Sequence, residues 1–280
     1  MRLFTLLLLL TVSVSAKYKF IAADTGTKEV FIVDENGKKV WTYKSPGKPE
    51  DVSFLKNGNI LLCTKNKVME MTMDKKVVFE FSRTGELHSA QRLADGNTLI
   101  GHTSEGKVYL VSPKGEVIKE VKTTYETKNK HRIFRRIRQT EEGKIYAAHH
   151  GDGVCRVYDQ SGKVLNTLKH YSDRCFSATP LTNDRVLLTG LDKVKIVNLK
   201  NEVLWEIDIK EIPDSKVLSL TSAKMLENGN ILVTNWMGHH RKLIKKKGYP
   251  SIVEISPEKK VVWQYDGGKN KCLIALDVAK

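Results

Sequence analysis

Short strands of alternating apolar and polar residues recur along the chain, as in Val30-Phe31-Ile32-Val33-Asp34, Val108-Tyr109-Leu110-Val111 and Ile252-Val253-Glu254-Ile255. A period of two marks a strand with two different faces. Turn signals punctuate these runs at a regular interval. An Asn/Asp-Gly-Asn turn appears at Asn57-Gly58-Asn59, Asp95-Gly96-Asn97 and Asn228-Gly229-Asn230, with degenerate copies at Glu142-Gly143-Lys144 and Asn183-Asp184-Arg185. The steps between them are 38, 47, 41 and 45 residues. Such dipeptides supply the positive φ of a tight hairpin.

A second signal runs out of phase with the first: a turn followed by a short strand with an apolar anchor. Its copies are Asn36-Gly37-Lys38-Lys39-Val40-Trp41, Lys75-Lys76-Val77-Val78-Phe79, Lys114-Gly115-Glu116-Val117-Ile118, Ser161-Gly162-Lys163-Val164-Leu165, Lys200-Asn201-Glu202-Val203-Leu204-Trp205 and Glu258-Lys259-Lys260-Val261-Val262-Trp263. Six copies, each within a unit holding four short strands, predict an all-β, six-bladed β-propeller. Blade one lacks an innermost strand, because Lys19 to Ala23 reads as its second. A leftover strand at Cys272 to Val278 predicts the missing piece and closes the ring, removing two exposed sheet edges at once.

The N-terminus reads differently. Arg2, the apolar run Leu3 to Val12 and Val14-Ser15-Ala16 make residues 1–16 a secretory signal peptide. The run falls short of the roughly 20 residues a membrane helix needs, although an uncleaved anchor is the alternative. A single propeller domain is expected over 17–280, secreted or periplasmic, without membrane insertion and monomeric. The charge is +15 over the full chain and +14 once Arg2 is removed. That excess favours anionic partners or serves solubility alone. Cys63, Cys155, Cys175 and Cys272 allow disulfides in an oxidising compartment, or are buried free thiols. No C-x-x-C spacing argues for zinc.

The stretches "RLADGNTLIG" and "VYLVSPKGEVIKEV", and above all Ile231 to Gly267, resemble quinoprotein-alcohol-dehydrogenase-like propellers. More narrowly they are similar to exported, mostly uncharacterised propellers of polysaccharide-degrading bacteria. The resemblance spans the mature chain and implies fold and export. It implies no activity, and nothing matches a quinone-binding constellation.

In a four-stranded blade, the loop entering the innermost strand and the loop joining the second and third strands open on one face. That face is expected to carry Glu50, Asp51, Glu86, His88, Lys130 to Arg136 and Asp173 to Cys175. It is also expected to carry Asp24, Lys65, Asn66, His102 to Glu105, His149 to Asp152 and Asn235 to Lys247. Seven of the eight histidines, all but His170, fall in or beside these segments. The ligand-binding candidates are His88, Arg92, His102, Arg132, Arg135, Arg136, His149, His150, Arg174, Asn235, Trp236, His239 and His240. Histidines there could hold a divalent metal, act as bases or contact an anion, or simply bond loop backbone. No cofactor is expected. Arginine forks suit carboxylate, sulfate or phosphate. Read as one extended strand, Arg132, Phe134, Arg136 and Arg138 share one side and Ile133, Arg135 and Ile137 the other; pairing with acids of neighbouring blades is the competing reading.

The insertion Met237 to Pro250 carries Lys245-Lys246-Lys247 beside Trp236, which could stack on a sugar ring. No G-x-S-x-G, phosphate-binding glycine loop or H-E-x-x-H is present, and basic charge without an aromatic-basic module gives nucleic acid a weak case. The leading expectation is a binding propeller for an anionic carbohydrate. The alternatives are a polysaccharide lyase or hydrolase, with His88 or His149 as base, and a protein-assembly scaffold.

Overall fold

A computed structural model describes residues 18–170, 174–182, 184–212, 216–240, 242–246, 248–268 and 271–279. The expected signal segment 1–16, together with Asp173, Asn183 and Lys247, lies outside the described residues. The chain forms six antiparallel sheets of four strands each, arranged as a ring of blades. Blades two to six run in order over residues 49–82, 87–122, 137–169, 177–208 and 220–265. Blade one combines Phe20–Asp24, Glu29–Val33 and Lys39–Lys44 with the C-terminal strand Leu273–Val278 as its innermost member.

The two families of turns do what their spacing implies. Gly58, Gly96, Gly143 and Gly229 have φ between 81° and 85° and reverse the chain between first and second strands. The out-of-phase turns carry Gly37, Gly115 and Gly162 in three blades. The same left-handed position is taken by Lys75, Asn201 and Lys259 in the other three, at φ 71°, 66° and 63°. These three accept a conformation in which a Cβ is unfavourable.

Apolar residues gather between blades. Six clusters of buried side chains occur among the described residues, one at each blade-to-blade interface around the ring. At the first interface Ile21, Val30 and Ile32 of blade one meet Val52, Ile60 and Leu62 of blade two. No blade has a core of its own, so each sheet depends on its neighbours.

The axis of the ring is polar. Ser177 hydrogen-bonds Thr189, and Thr221 bonds Thr234 at 2.9 Å. Asp51, 2% exposed, receives Arg136 at 3.2 Å and Arg138 at 3.0 Å. The carboxylate also accepts from Ser89 Oγ at 3.0 Å. Burial alone would raise the Asp51 carboxyl, but the two guanidinium groups override it and hold the group below its usual range. Arg136 reaches on to the carbonyls of Glu50 at 3.3 Å and Ile274 at 2.9 Å, and to Ser222 Oγ at 3.4 Å. One side chain of blade four thus touches blades two and six and the closing strand.

The stretch 131–138 departs from the extended reading. A 3-10 turn at Lys130–Arg132, capped by Asn129, puts Ile133 in the helical region, and the inner strand is only Ile137–Gln139. The alternation breaks there. Arg136 and Arg138 face the axis as interblade partners, whereas Arg132 and Arg135 face the loop surface.

The closing strand pairs with Phe20–Asp24 in the register Phe20↔Val278 to Asp24↔Leu273. Asp24 Oδ1 accepts from the Cys272 amide at 2.8 Å. Asp277 accepts from the Phe54 amide of blade two at 3.1 Å and from Lys224 of blade six at 2.9 Å. The four cysteines are buried and free.

Two consequences are measurable by denaturant unfolding. Deleting residues 271–280 removes these ties and exposes the first cluster, so cooperative unfolding should be lost or its midpoint should collapse; an unchanged midpoint would contradict ring closure. Asp51→Ala strands two buried arginines and should cost about 3–5 kcal/mol. A loss under about 1 kcal/mol would show that water or another acid replaces the carboxylate.

Candidate functional site

The loop face gathers residues from five of the six blades into one cavity. Its empty volume is about 470 Å³, part of it open to solvent, and its walls include Lys48, Glu50, His131, Arg132, Arg135, His150, Arg174, Phe176, Trp236, His239 and Ile274. Lys48 comes from the loop into blade two, Arg132 and Arg135 from the loop into blade four, and Arg174 from the loop into blade five. Trp236 and His239 open the long insertion of blade six.

One wall is aromatic. His150 meets Phe176 edge to face at 5.0 Å, Phe176 lies 6.2 Å from Trp236, and Trp236 lies 4.7 Å from His239. Gly238 makes this fold-back feasible, because a Cβ there would stand 2.1 Å from the Trp236 ring. The indole Nε1 donates to Thr25 Oγ1 at 3.2 Å, which fixes the ring against blade one.

The opposite wall is cationic. Arg135 stands over Phe176 with its guanidinium carbon 5.6 Å from the ring centre. Burial and the neighbouring Arg132 and Arg174 pull its pKa down to about 10, although Glu50 and Glu86 oppose the change. The same field reaches the histidines. Burial, then Arg135, Arg174 and Arg132, push His150 down to about 2. His239 is lowered by burial, then by Arg174 and His240. Glu50 is the acid of this wall; burial raises its carboxyl, and Lys48 pairs with it at 3.3 Å. Two buried donors or acceptors, Arg135 Nε and His150 Nδ1, have no hydrogen-bond partner. Orphaned polar atoms in a cavity wall mark a place for a polar ligand or water.

Beside this cavity lies a second constellation. Glu86 Oε2 is 2.5 Å from His131 Nδ1, and Lys65 pairs with Glu86 at 3.1 Å. Arg135 sits between two imidazoles, with Nη1 2.8 Å from His88 Nδ1 and 3.2 Å from His88 Nε2. Its Nη2 is 2.9 Å from His131 Nε2. Thr103 Oγ1 donates to the Phe134 carbonyl at 2.8 Å and meets His88 Nδ1 at 2.9 Å. Thr103 Oγ1 and Arg135 Nη1 both reach His88 Nδ1, so that side of the ring is engaged in the wall. Burial and Arg135 keep His88 neutral, with its pKa well below the usual value.

The ligand atoms of Glu86, His88 and His131 lie within 4.8 Å of one another, a suitable set of metal donors. Their surroundings oppose a cation. Arg135 contacts both imidazoles, and Lys65 already neutralises Glu86. The arrangement fits an anion better than a divalent metal.

Of the thirteen candidates, Arg132, Arg135, His150, Arg174, Trp236 and His239 line the cavity, and His88 stands directly behind Arg135. The rest are elsewhere or engaged. Arg92 lies at the far end of its strand, away from the loop face, bound to Glu70 at 2.6 Å and stacked on Phe79. His102, 1% exposed, bonds the Thr84 carbonyl at 2.8 Å and caps a 3-10 turn. Arg136 belongs to the axial network. His149 is buried on Phe134 and bonds Tyr158 Oη at 2.7 Å, so it cannot act as a base in the cavity. Asn235 spends its amide on Leu218 N, Ser219 N and the carbonyls of Lys216 and Pro250. His240 meets Ser219 Oγ at 3.3 Å, outside the lining. His170 follows the outer strand Val164–Lys169, which places it at the loop-face end of blade four as well.

Five lining residues lie outside the thirteen candidates: Lys48, Glu50, His131, Phe176 and Ile274. Lys48 precedes the predicted Glu50-Asp51 pair. His131 belongs to the basic stretch, but its partner Glu86 is 45 residues away, so spacing does not mark it. Phe176 precedes the inner strand Ser177–Pro180 and Ile274 lies in the closing strand, and neither carries a further sequence signal.

No family model and no curated protein matches the chain. Among solved structures, a Bacteroides caccae protein of unknown function matches at 25% identity and TM-score 0.82, covering 94% of this chain and 99% of that one. A streptogramin B lyase matches at 11% identity and TM-score 0.63, over 96% of this chain and 95% of that one. Virginiamycin B lyase from Staphylococcus aureus gives 12% and 0.61, over 91% and 86%. The two lyases share the fold with this chain.

Buried histidines give the fold a pH limit. His149, His150 and His170 are depressed to about 3, 2 and 4, in each case chiefly by burial. The unfolded chain protonates histidine near 6.5, so below that pH it binds more protons than the native state and stability falls. Each group should cost about 2 kcal/mol between pH 7.5 and 5. Urea midpoints should drop steeply over that range; a flat profile would mean these rings are protonated in the folded protein.

Proposed function

We propose that the chain is an exported propeller that binds an anionic carbohydrate, with the acid group held by Arg132, Arg135 and Arg174 and the sugar face laid on Trp236 and Phe176. The observation that carries this reading is the convergence of four cations from three separate loops on an aromatic-walled cavity whose own acid, Glu50, is already paired with Lys48. Guanidinium forks recognise planar oxyanions, and indole faces suit the apolar side of a pyranose. The depressed Arg135 and His150 support it, since a bound anion relieves both. Export rests on residues 1–16.

A scaffold role has less behind it. The exposed large apolar residues, Val40, Val77, Val78, Val117, Ile118, Leu165, Val203, Leu204 and Val262 among them, lie at the starts of the outer strands. They are spread around all six blades and form no single patch of the kind an interface needs.

Titration calorimetry with oligogalacturonate, a sulfated oligosaccharide and a neutral glucan tests the reading. Binding of an acidic chain should weaken with salt, and Arg135→Ala should reduce affinity at least about tenfold, or about 1.4 kcal/mol. Trp236→Ala should weaken binding with little change in salt dependence. Equal affinity for the neutral glucan, or no binding to either acidic chain at low salt, would remove the anionic-carbohydrate assignment.

A further inference from the structure

We infer that His131 and Glu86 form a general-base pair that eliminates across the C4–O4 bond of a uronate bound in this cavity, so that the protein is a uronate lyase; the inference rests on the binding reading above. His131 is half exposed at the cavity wall, while Glu86 is mostly buried. A carboxylate can only accept, so the Glu86 contact at 2.5 Å places the proton on His131 Nδ1 and turns the Nε2 lone pair away from Glu86. This is the arrangement of an oriented imidazole base. Lys65, on the other side of Glu86, helps keep that carboxylate ionised.

Arg135 masks the lone pair. Arg135 Nη2 donates to it at 2.9 Å, and Nη1 donates to His88. An imidazole lone pair carries no charge, and a guanidinium prefers a carboxylate to it. A uronate carboxylate offered to Arg135 therefore draws the fork off His131 and bares Nε2. The carbon bearing that carboxylate then lies beside the base. The same act of recognition assembles substrate and catalyst, and a neutral sugar leaves the base covered.

The chemistry balances without a further reagent. His131 Nε2 takes the proton from C5, and the C5–H electron pair builds the C4=C5 double bond. The C4–O4 bond breaks, and its electrons leave with O4, which takes a proton from solvent. Charge developing on the carboxylate as C5 loses its proton is met by Arg135, Arg132 and Arg174 in a partly dry site, where such contacts count most. Oxidation states are unchanged overall, and no metal is required by the scheme.

His88 has a separate part. Its Nδ1 meets both Thr103 and Arg135 Nη1, so it helps hold the guanidinium in the cavity wall as a positioning residue. Asn129 and the 3-10 turn set His131 at the rim, on the loop that also supplies Arg132 and Arg135.

The test uses the whole propeller, residues 17–280, first with polygalacturonate and then with hyaluronan oligosaccharides. Turnover should appear as ultraviolet absorbance from an unsaturated uronate end, and in D₂O with incomplete turnover as deuterium at C5. His131→Ala should lower kcat at saturating substrate by at least about 100-fold. Because His131 is half exposed, its melting temperature should be unchanged, and added imidazole should restore part of the rate. Glu86→Gln should lower kcat with a smaller effect on KM, whereas Trp236→Ala should act on KM. Tight binding of an oligouronate with neither absorbance nor deuterium exchange would overturn the lyase inference and leave the binding reading standing. Wild-type kcat in His131→Ala would also overturn it, by excluding this base. Absence of binding in calorimetry would remove both.

Discussion

The whole ring turns on one buried carboxylate. Asp51 sits at the axis with Arg136, Arg138 and Ser89 around it, and Arg136 carries the contact on to the closing strand and blade six. Burying charge is costly unless it is paired and hydrogen-bonded, and here the pairing is between blades rather than within one. Elsewhere the blades meet through apolar side chains, which are tolerant of small slips. The axial network is directional, and it fixes how blades two, four and six and the C-terminal strand sit around a common centre.

That centre determines the shape of the loop face. With Arg136 and Arg138 committed downward, the preceding 3-10 turn directs Arg132 and Arg135 upward, so a single basic stretch serves two purposes. The lower half closes charge internally. The upper half leaves cations facing Phe176 and Trp236, with buried polar atoms that the protein itself does not satisfy. The site exists because one loop changes backbone conformation at Ile133.

The architecture was legible in the sequence because it depends on local signals. Asn-Gly and Asp-Gly turns and period-two strands declare hairpins without reference to the rest of the chain, and the unpaired strand before the C-terminus implied ring closure. Lys75, Asn201 and Lys259 were readable as turns only through their neighbours in the repeat. The site was partly legible. Arg132, Arg135, Arg174 and Trp236 stood out by type and by loop. Arg92, His102, His149 and Asn235 looked alike on paper but were spent on Glu70, Thr84, Tyr158 and four backbone groups. Whether a polar side chain is free or satisfied depends on partners brought from other blades, and spacing along one chain does not contain that information. The Glu86–His131 pair, 45 residues apart, shows the same limit.

Arg136 has one more effect. Its guanidinium, 5% exposed, lies across the middle of the ring, tied to carbonyls on two sides. A side chain therefore bridges the centre of the ring. A polymer threading through would have to break these contacts, so a ligand entering from the loop face would leave by the same mouth. On the proposed binding reading, an extended glycan would have to lie across the rim and dip a single unit inward, or present a chain end. Each visit would then engage one sugar at a time, followed by release and rebinding, so movement along a long chain would proceed by hops and not by continuous sliding.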